Sequence, residues 1–114
     1  MKIGIIGLGL IGGSMAKAIS EHTDHTVLGL DLDPCIVLKA KMTKVISQEL
    51  SEDSLSCCDM LIVALYPKAT VEYISQHAHQ IKKGALVIDC CGVKQEVCKV
   101  GFELAKRYGF IYVN

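Results

Sequence analysis

The sequence has 114 residues, 51% hydrophobic and 21% charged, with Lys+Arg and Asp+Glu equal at 12 each. That length supports a single domain, 1–114, with a sizeable core, and the balanced charge argues against a basic surface for nucleic acid or an anionic membrane. No apolar run is long enough to span a bilayer, and the chain opens in core-strand residues with no leader-like stretch, which predicts a cytoplasmic protein.

The six cysteines (Cys35, Cys57, Cys58, Cys90, Cys91 and Cys98) include no C-x-x-C, and the two adjacent pairs are awkward for joint chelation or bridging. His22, His25, His77 and His79 do not join them at ligand spacing, so reduced structural thiols and no metal site are expected. Lys39, Lys41 and Lys44 read as a solvated helix face.

In chain order, the apolar run Ile3, Ile5 and Ile6 predicts a strand that meets Gly7-Leu8-Gly9-Leu10-Ile11-Gly12, spaced G-x-G-x-x-G. Leu10 to Glu21 follows, with Ile11, Met15, Ala18 and Ile19 at helical spacing. Strand, glycine turn and helix together make a dinucleotide-binding fingerprint. Gly7 permits the tight turn, Gly9 lets the backbone approach a pyrophosphate, and Gly12 lets the helix pack on the strand. The N–H groups of the helix start, at Leu10 and Ile11, then face the anion.

Thr26 to Asp31 predicts the second strand, with Asp31 at its carboxyl end. An acid there accepts hydrogen bonds from adenosine ribose hydroxyls and repels a 2′-phosphate. Positions 32 to 35 carry no Arg or Lys to receive that phosphate, and Asp33 adds to the repulsion, so NAD is expected over NADP. Asp33 and Pro34 suit the N-cap and first position of a helix, which leaves Asp31 for the ribose. Ile36, Leu38, Ala40 and Met42 give that helix no clean face. Val45-Ile46 is the predicted third strand, and Gln48 to Cys57 a loop or short helix.

Asp59 to Leu65 is the clearest central strand, closed by Tyr66-Pro67. Thr70, Ile74, Ala78 and Ile81 mark one side of a helix that ends at Lys83-Gly84, before a strand over Ala85 to Asp89. Val97, Val100, Leu104 and Tyr108 space a last helix stopped by Gly109, and Phe110 to Val113 is the sixth strand. Apolar strands without alternation, interleaved with helices, predict an α/β fold. It is a doubly wound parallel sheet (Rossmann fold) of six strands, order 3-2-1-4-5-6, with helices on both faces.

Ligands of such a sheet sit beyond the carboxyl ends of its strands, so Leu65, Tyr66 and Pro67, with Cys90 and Cys91, should flank the nicotinamide. Tyr66 either stacks near the cofactor or stands partly exposed without a role. Cys90 and Cys91 lack a partner base and read as small residues that let the cofactor come close. The four histidines fall at the amino end of the sheet or late in a helix running away from the carboxyl end, and supply no general base.

The string Gly7 to Ser14, G-L-G-L-I-G-G-S, resembles the opening of the prephenate and arogenate dehydrogenases of tyrosine biosynthesis (the TyrA family). Asp59 to Pro67 with Ala69-Thr70, and Ile88-Asp89-Cys90-Cys91-Gly92-Val93-Lys94, are similar to that family's fourth and fifth strand ends. The resemblance spans essentially the whole chain. It implies an NAD-linked oxidoreductase that passes hydride from prephenate to nicotinamide, with loss of CO₂ and aromatisation to 4-hydroxyphenylpyruvate.

It further implies a catalytic histidine in a Gly-His-Pro motif just past the sixth strand, beyond Asn114. A helical second domain, which forms the homodimer and much of the substrate pocket, is also expected outside these residues. Gly92 departs from the serine that many members carry near the substrate hydroxyl. Lys94 matches a family lysine near the substrate and is the one catalytic-neighbourhood residue carried over; read by itself it is a solvent-facing residue in a first helical turn. Cofactor binding without turnover is expected of this chain alone, with prephenate or arogenate as substrate of the whole enzyme. The alternative is a stand-alone NAD-binding or sensing module whose partner supplies any chemistry.

Overall fold

The computed structural model describes residues 1–90 and 95–114. Six strands, β1 (Lys2–Ile6), β2 (Thr26–Leu30), β3 (Gln48–Glu49), β4 (Met60–Val63), β5 (Leu86–Asp89) and β6 (Ile111–Val113), pair in the order β3-β2-β1-β4-β5-β6. All pairs are parallel, so the doubly wound sheet expected from the sequence is present. The chain reverses its direction of travel between β1 and β4, which places the switch point over the ends of those two strands.

Among the described residues five helices connect the strands: α1 (Leu10–His22), α2 (Pro34–Met42), α3 (Glu52–Leu55), α4 (Pro67–His77, prolonged by a 3₁₀ turn at Ala78–Gln80) and α5 (Gln95–Tyr108). Alternation along the strands divides the apolar residues between two cores. Ile3, Ile5, Val27 and Ile62 pack with Ala16 of α1 and with Val37 and Ala40 of α2. Ile6, Leu28, Leu61, Val63 and Val87 pack with Leu55, Ile74 and Ala105 of α3, α4 and α5. Because both faces of the central strands are dry, their sequences read as unbroken apolar runs. Thr70, Ile74, Ala78 and Ile81 are all buried, as their spacing predicts.

The α1–α2 layer stops short of β6. Leu86 and Ile88 are half-buried there, and Ile111 and Val113 remain 56% and 44% exposed. Register sets Leu86 beside Ile111 and Ile88 beside Val113, so these four side chains form one apolar strip on one face of the sheet.

The third strand departs from the expectation. Val45 and Ile46 are not a strand: both amides return to Ala40 O at the end of α2, at 2.9 and 3.2 Å. Ile46 is apolar because it plugs the α2-side core at 1% exposure. The strand is Gln48–Glu49, within the stretch read as a loop, and it is defined by Ser47 N donating to Val27 O and Leu50 N to Gly29 O. Both of its side chains are exposed, so no apolar pattern announces it. Short edge strands are held by backbone pairing rather than by side-chain burial.

Helix α5 lies so close to β6 that a Cβ on Gly101 would stand 2.4 Å from Cζ of Tyr112. That ring cannot easily yield. Phe102 meets it edge-on with centroids 5.0 Å apart, and its hydroxyl donates to Asp89 Oδ2 at 2.6 Å. Gly101→Ala should gain about 1 kcal/mol of helix propensity but lose about 1–3 kcal/mol to overpacking. A lower urea midpoint is therefore expected, and an unchanged or raised midpoint would show that the ring moves aside freely.

Tyr112→Phe removes the donor to a carboxylate that is only 3% exposed, and should cost about 1.5–3 kcal/mol. Burial first, and then the hydrogen bond to Asp89, hold the Tyr112 phenol well above the usual tyrosine range. A group whose pKa is raised by folding contributes stability below its unfolded value and loses it as pH rises. The native chain should therefore weaken above about pH 10 by a component that the Phe variant lacks, measurable as a difference in unfolding midpoints.

Candidate functional site

The site starts where β1 ends. Gly7 N donates to Leu30 O at 2.8 Å, so the turn stays tied to β2 while its φ of +94° swings the chain toward α1. α1 crosses this turn at backbone contact: a Cβ on Gly12 would stand 1.7 Å from Gly7 O. A Cβ on Gly9, by contrast, would meet nothing within 4 Å, because that position opens on a cleft. The first intrahelical bond of α1 runs from Gly13 N to Gly9 O at 2.8 Å. The amides of Leu10, Ile11 and Gly12 precede it, at the positive end of the helix dipole.

Asp31 closes one end of the cleft. Its Oδ2 accepts from Leu8 N at 2.8 Å and its Oδ1 from Asp33 N at 3.0 Å, so one carboxylate braces the turns after β1 and β2 together. Each oxygen keeps further acceptor capacity for a ligand hydroxyl. The helix cap belongs to Asp33, whose Oδ1 accepts from Cys35 N at 2.9 Å, with Pro34 at the first helical position. On the far side, fully buried Thr70 donates its hydroxyl toward Leu65 O (3.2 Å) and Tyr66 O (3.0 Å) and fastens that turn to α4.

These turns enclose a cleft of about 560 Å³. Gly7, Gly9, Leu10, Ile11 and Gly12 form one wall, Asp31 one end, and Leu65, Tyr66 and Pro67 the opposite wall. Every described residue singled out from the sequence for the cofactor is thus on one surface, with Tyr66 87% exposed at its rim. Cys91 and Lys94 lie outside the described residues. Leu32, Ala64 and Ala69 also line the cleft and were not singled out. Ala64 and Ala69 stood in the sequence only within the strings that resemble the family, and Leu32 only beside Asp31.

Cys90, the first of its pair, lines the cleft too, with Sγ 3.9 Å from Met15 Sδ. Burial first, and the Asp89 charge second, push its thiol pKa up, so it stays protonated and is no poised nucleophile. None of the four histidines lines the cleft. His25 Nδ1 lies 2.9 Å from the Met1 amino group, at the opposite end of the sheet, and His77 stacks on Tyr73 with ring centroids 4.3 Å apart. Among the described residues no three His, Cys, Asp or Glu side chains gather to hold a metal. Among them, too, no helix is long and apolar enough to cross a membrane.

A cradle with backbone donors at one point, a fixed carboxylate to one side and a mostly apolar wall opposite suits an elongated ligand. Such a ligand presents hydroxyls to the carboxylate, an anion to the backbone donors and a flat ring to the apolar wall.

Residues 15–112 match the family described as prephenate dehydrogenase, nucleotide-binding domain. A prephenate dehydrogenase of Lactococcus lactis subsp. cremoris (strain MG1363) is 31% identical over 105 residues, covering 90% of this chain and 30% of that protein. The chain therefore spans about a third of the length of that curated relative. Among solved structures, Synechocystis arogenate dehydrogenase superposes with a TM-score of 0.84 at 22% identity, covering 91% of this chain and 37% of that one. Prephenate dehydrogenase from Aquifex aeolicus, in complex with hydroxyphenyl propionate and NAD⁺, superposes with a TM-score of 0.79 at 22% identity, over 98% and 40%. Mycobacterium tuberculosis 3-hydroxyisobutyrate dehydrogenase shares the fold with a TM-score of 0.80 at 18% identity, over 97% and 38%. At such identities the likeness of the structures speaks for the fold, and the family match carries the assignment. On that match, this chain belongs to the family of prephenate dehydrogenase nucleotide-binding domains.

Proposed function

We propose that the cleft binds NAD and that the domain is the oxidant-holding part of a prephenate dehydrogenase-like oxidoreductase. The observation that carries this reading is the convergence of the glycine turn, Asp31 and the Leu65–Pro67 turn on one cleft. The fit is steric as well as chemical: position 9 is open where a phosphate would need the backbone, and position 12 is closed where the helix must pack. The chemistry that the bound dinucleotide would supply is hydride acceptance, from prephenate or arogenate, in an oxidative decarboxylation yielding 4-hydroxyphenylpyruvate from prephenate.

This chain's own residues bind and orient. The first amides of α1 receive the pyrophosphate, and Asp31 holds the ribose hydroxyls from a carboxylate already fixed by Leu8 N and Asp33 N. Tyr66 and Pro67 border the nicotinamide end. Asp31 and Asp33 repel a 2′-phosphate, so NAD is favoured over NADP. No histidine reaches the cleft to take the proton of the substrate hydroxyl, so binding without turnover is the expected property of these 114 residues. Lys94 is the candidate neighbour of the substrate.

The apolar strip of half-buried Leu86 and Ile88 with exposed Ile111 and Val113 supports the reading that a second, helical unit packs on this face and forms the homodimer. Such an enzyme would work in the cytoplasm. Calorimetric titration of the chain tests the core of the proposal: NAD should bind at least about tenfold tighter than NADP, and no NADH should form when prephenate is added. Absence of NAD binding overturns the cofactor assignment, and steady NADH formation overturns the division of labour.

A further inference from the structure

Three titratable side chains line the cleft, and on the reading above Asp31 serves the ribose, Tyr66 borders the nicotinamide end and Cys90 has no part. The Cys90 thiol donates to Met15 Sδ at 3.9 Å, which sets two sulfurs side by side between the end of β5 and α1. Met15 lies one turn along α1 from Ile11, another cleft residue, and both sulfur side chains are half-buried. No hard donor joins them. The Asp89 carboxylate is on the opposite face of the sheet, where it accepts from the Tyr112 hydroxyl at 2.6 Å. Among the described residues no His, Asp or Glu joins a cysteine in a group of three. The spacing of cysteines and histidines predicts no metal site, but Met15 and Cys90 are 75 positions apart and only the fold pairs them.

We propose that Cys90 and Met15 form a site for a soft monovalent cation, Cu(I), and that the filled site and a dinucleotide exclude each other. The exclusion rests on the dinucleotide reading above; the metal site does not. Thiolate and thioether are the soft donors that select Cu(I) over harder ions. With metal–sulfur bonds of about 2.3 Å, the 3.9 Å separation gives an S–Cu–S angle of about 116°, close to trigonal. The third place is then left to water or chloride. Zinc, which takes four ligands in a closed site, finds only these two sulfurs. On binding, the Cys90 S–H bond breaks, its proton goes to solvent and an S–Cu bond forms. Copper stays Cu(I) throughout, so the step needs no oxidant or reductant. Thiolate and cation neutralise each other, which suits a half-buried position. Because Cys90 lines the cleft, the ion and its third ligand take room from the nicotinamide end.

The test uses the 114-residue chain with carbon-13 in its methionine methyl groups, titrated anaerobically with Cu(I) as its acetonitrile complex. The titration runs to six equivalents, one for each cysteine. The Met15 methyl resonance is expected to shift, because its sulfur ligates the ion. In Cys90→Ser, and in Cys90→Ala as a second variant, each checked for the native thermal midpoint, that shift should vanish. A Met15 methyl that stays in place through six equivalents overturns the site, and so does a shift of the same size in either variant. Calorimetric titration with NAD reads the exclusion. The copper-loaded native chain should bind NAD at least about tenfold more weakly than the copper-free chain, and the Cys90 variants should lose less than about twofold. Equal NAD affinity of the loaded and free native chain overturns the exclusion. Absence of NAD binding to the copper-free chain overturns the dinucleotide reading and the exclusion with it, while the Met15 methyl still decides the metal site.

Discussion

Gly12→Ala is expected to abolish dinucleotide binding and to cost roughly 3 kcal/mol of stability, the upper end for overpacking. The clash is with backbone, since the added Cβ would stand 1.7 Å from Gly7 O and 2.9 Å from its carbonyl carbon. A side chain could rotate away; this carbonyl cannot, because Gly7 N is bonded to Leu30 O and its residue already sits at φ +94°. α1 must lift off the turn, and the amides of its first turn move with it. Against a total stability of about 5–15 kcal/mol the loss is large, and the thermal midpoint should fall by on the order of 10 °C. Gly9→Ala supplies the contrast. Its Cβ meets nothing in the protein, so the midpoint should hold while NAD binding is lost, because the methyl occupies the anion's place. A Gly12→Ala chain that melts and binds like the native one would refute the packing argument.

Asp31→Ala should weaken NAD by about 100-fold, since two hydrogen bonds from ribose to a charged acceptor are each worth about 1.5–3 kcal/mol, less what water restores. The same change strips the acceptor from Leu8 N and Asp33 N, so the two turns lose their common brace. Leu8 N is part-buried, and leaving it unpaired should lower stability by about 1–3 kcal/mol as well. NADP affinity should barely change, because the lost ribose contact is offset by relief of charge repulsion. The NAD-to-NADP preference should therefore fall by about 100-fold. Asp31→Asn separates the two effects by keeping an acceptor and removing the charge. Unaltered NAD affinity in the Ala variant would mean that Asp31 serves only as a brace.

Much of the fold was legible along the chain. Ile3–Ile6 and Leu61–Val63 are dry on both faces, so their apolar runs could only be inner strands of a parallel sheet. Asp33-Pro34 marked the start of α2 by local capping chemistry alone. The third strand was misplaced because Gln48–Glu49 shows water both of its side chains, while the apolar Val45-Ile46 beside it closes the end of α2. Periodicity reports burial, and it found burial without a strand. The same limit hid Leu32, Ala64 and Ala69: nothing in their identity distinguishes a cleft wall from ordinary surface or core.

The order of elements, the glycine turn and the acid at the end of β2 follow from local chemistry, and the family from the resemblance of its motif strings. Backbone torsion, capping and strand patterning are properties of neighbouring residues, and they persist wherever the segment is placed. Packing across the chain decided the rest. Asp31 becomes a brace because Leu8 and Asp33 meet it from two different turns. Gly101 is glycine because Tyr112, held by Asp89, presses on it from another strand. Ile111 and Val113 stay exposed beside half-buried Leu86 and Ile88 because the helices above that face end before β6. Each of these depends on distances between residues remote in sequence, which spacing along the chain does not encode.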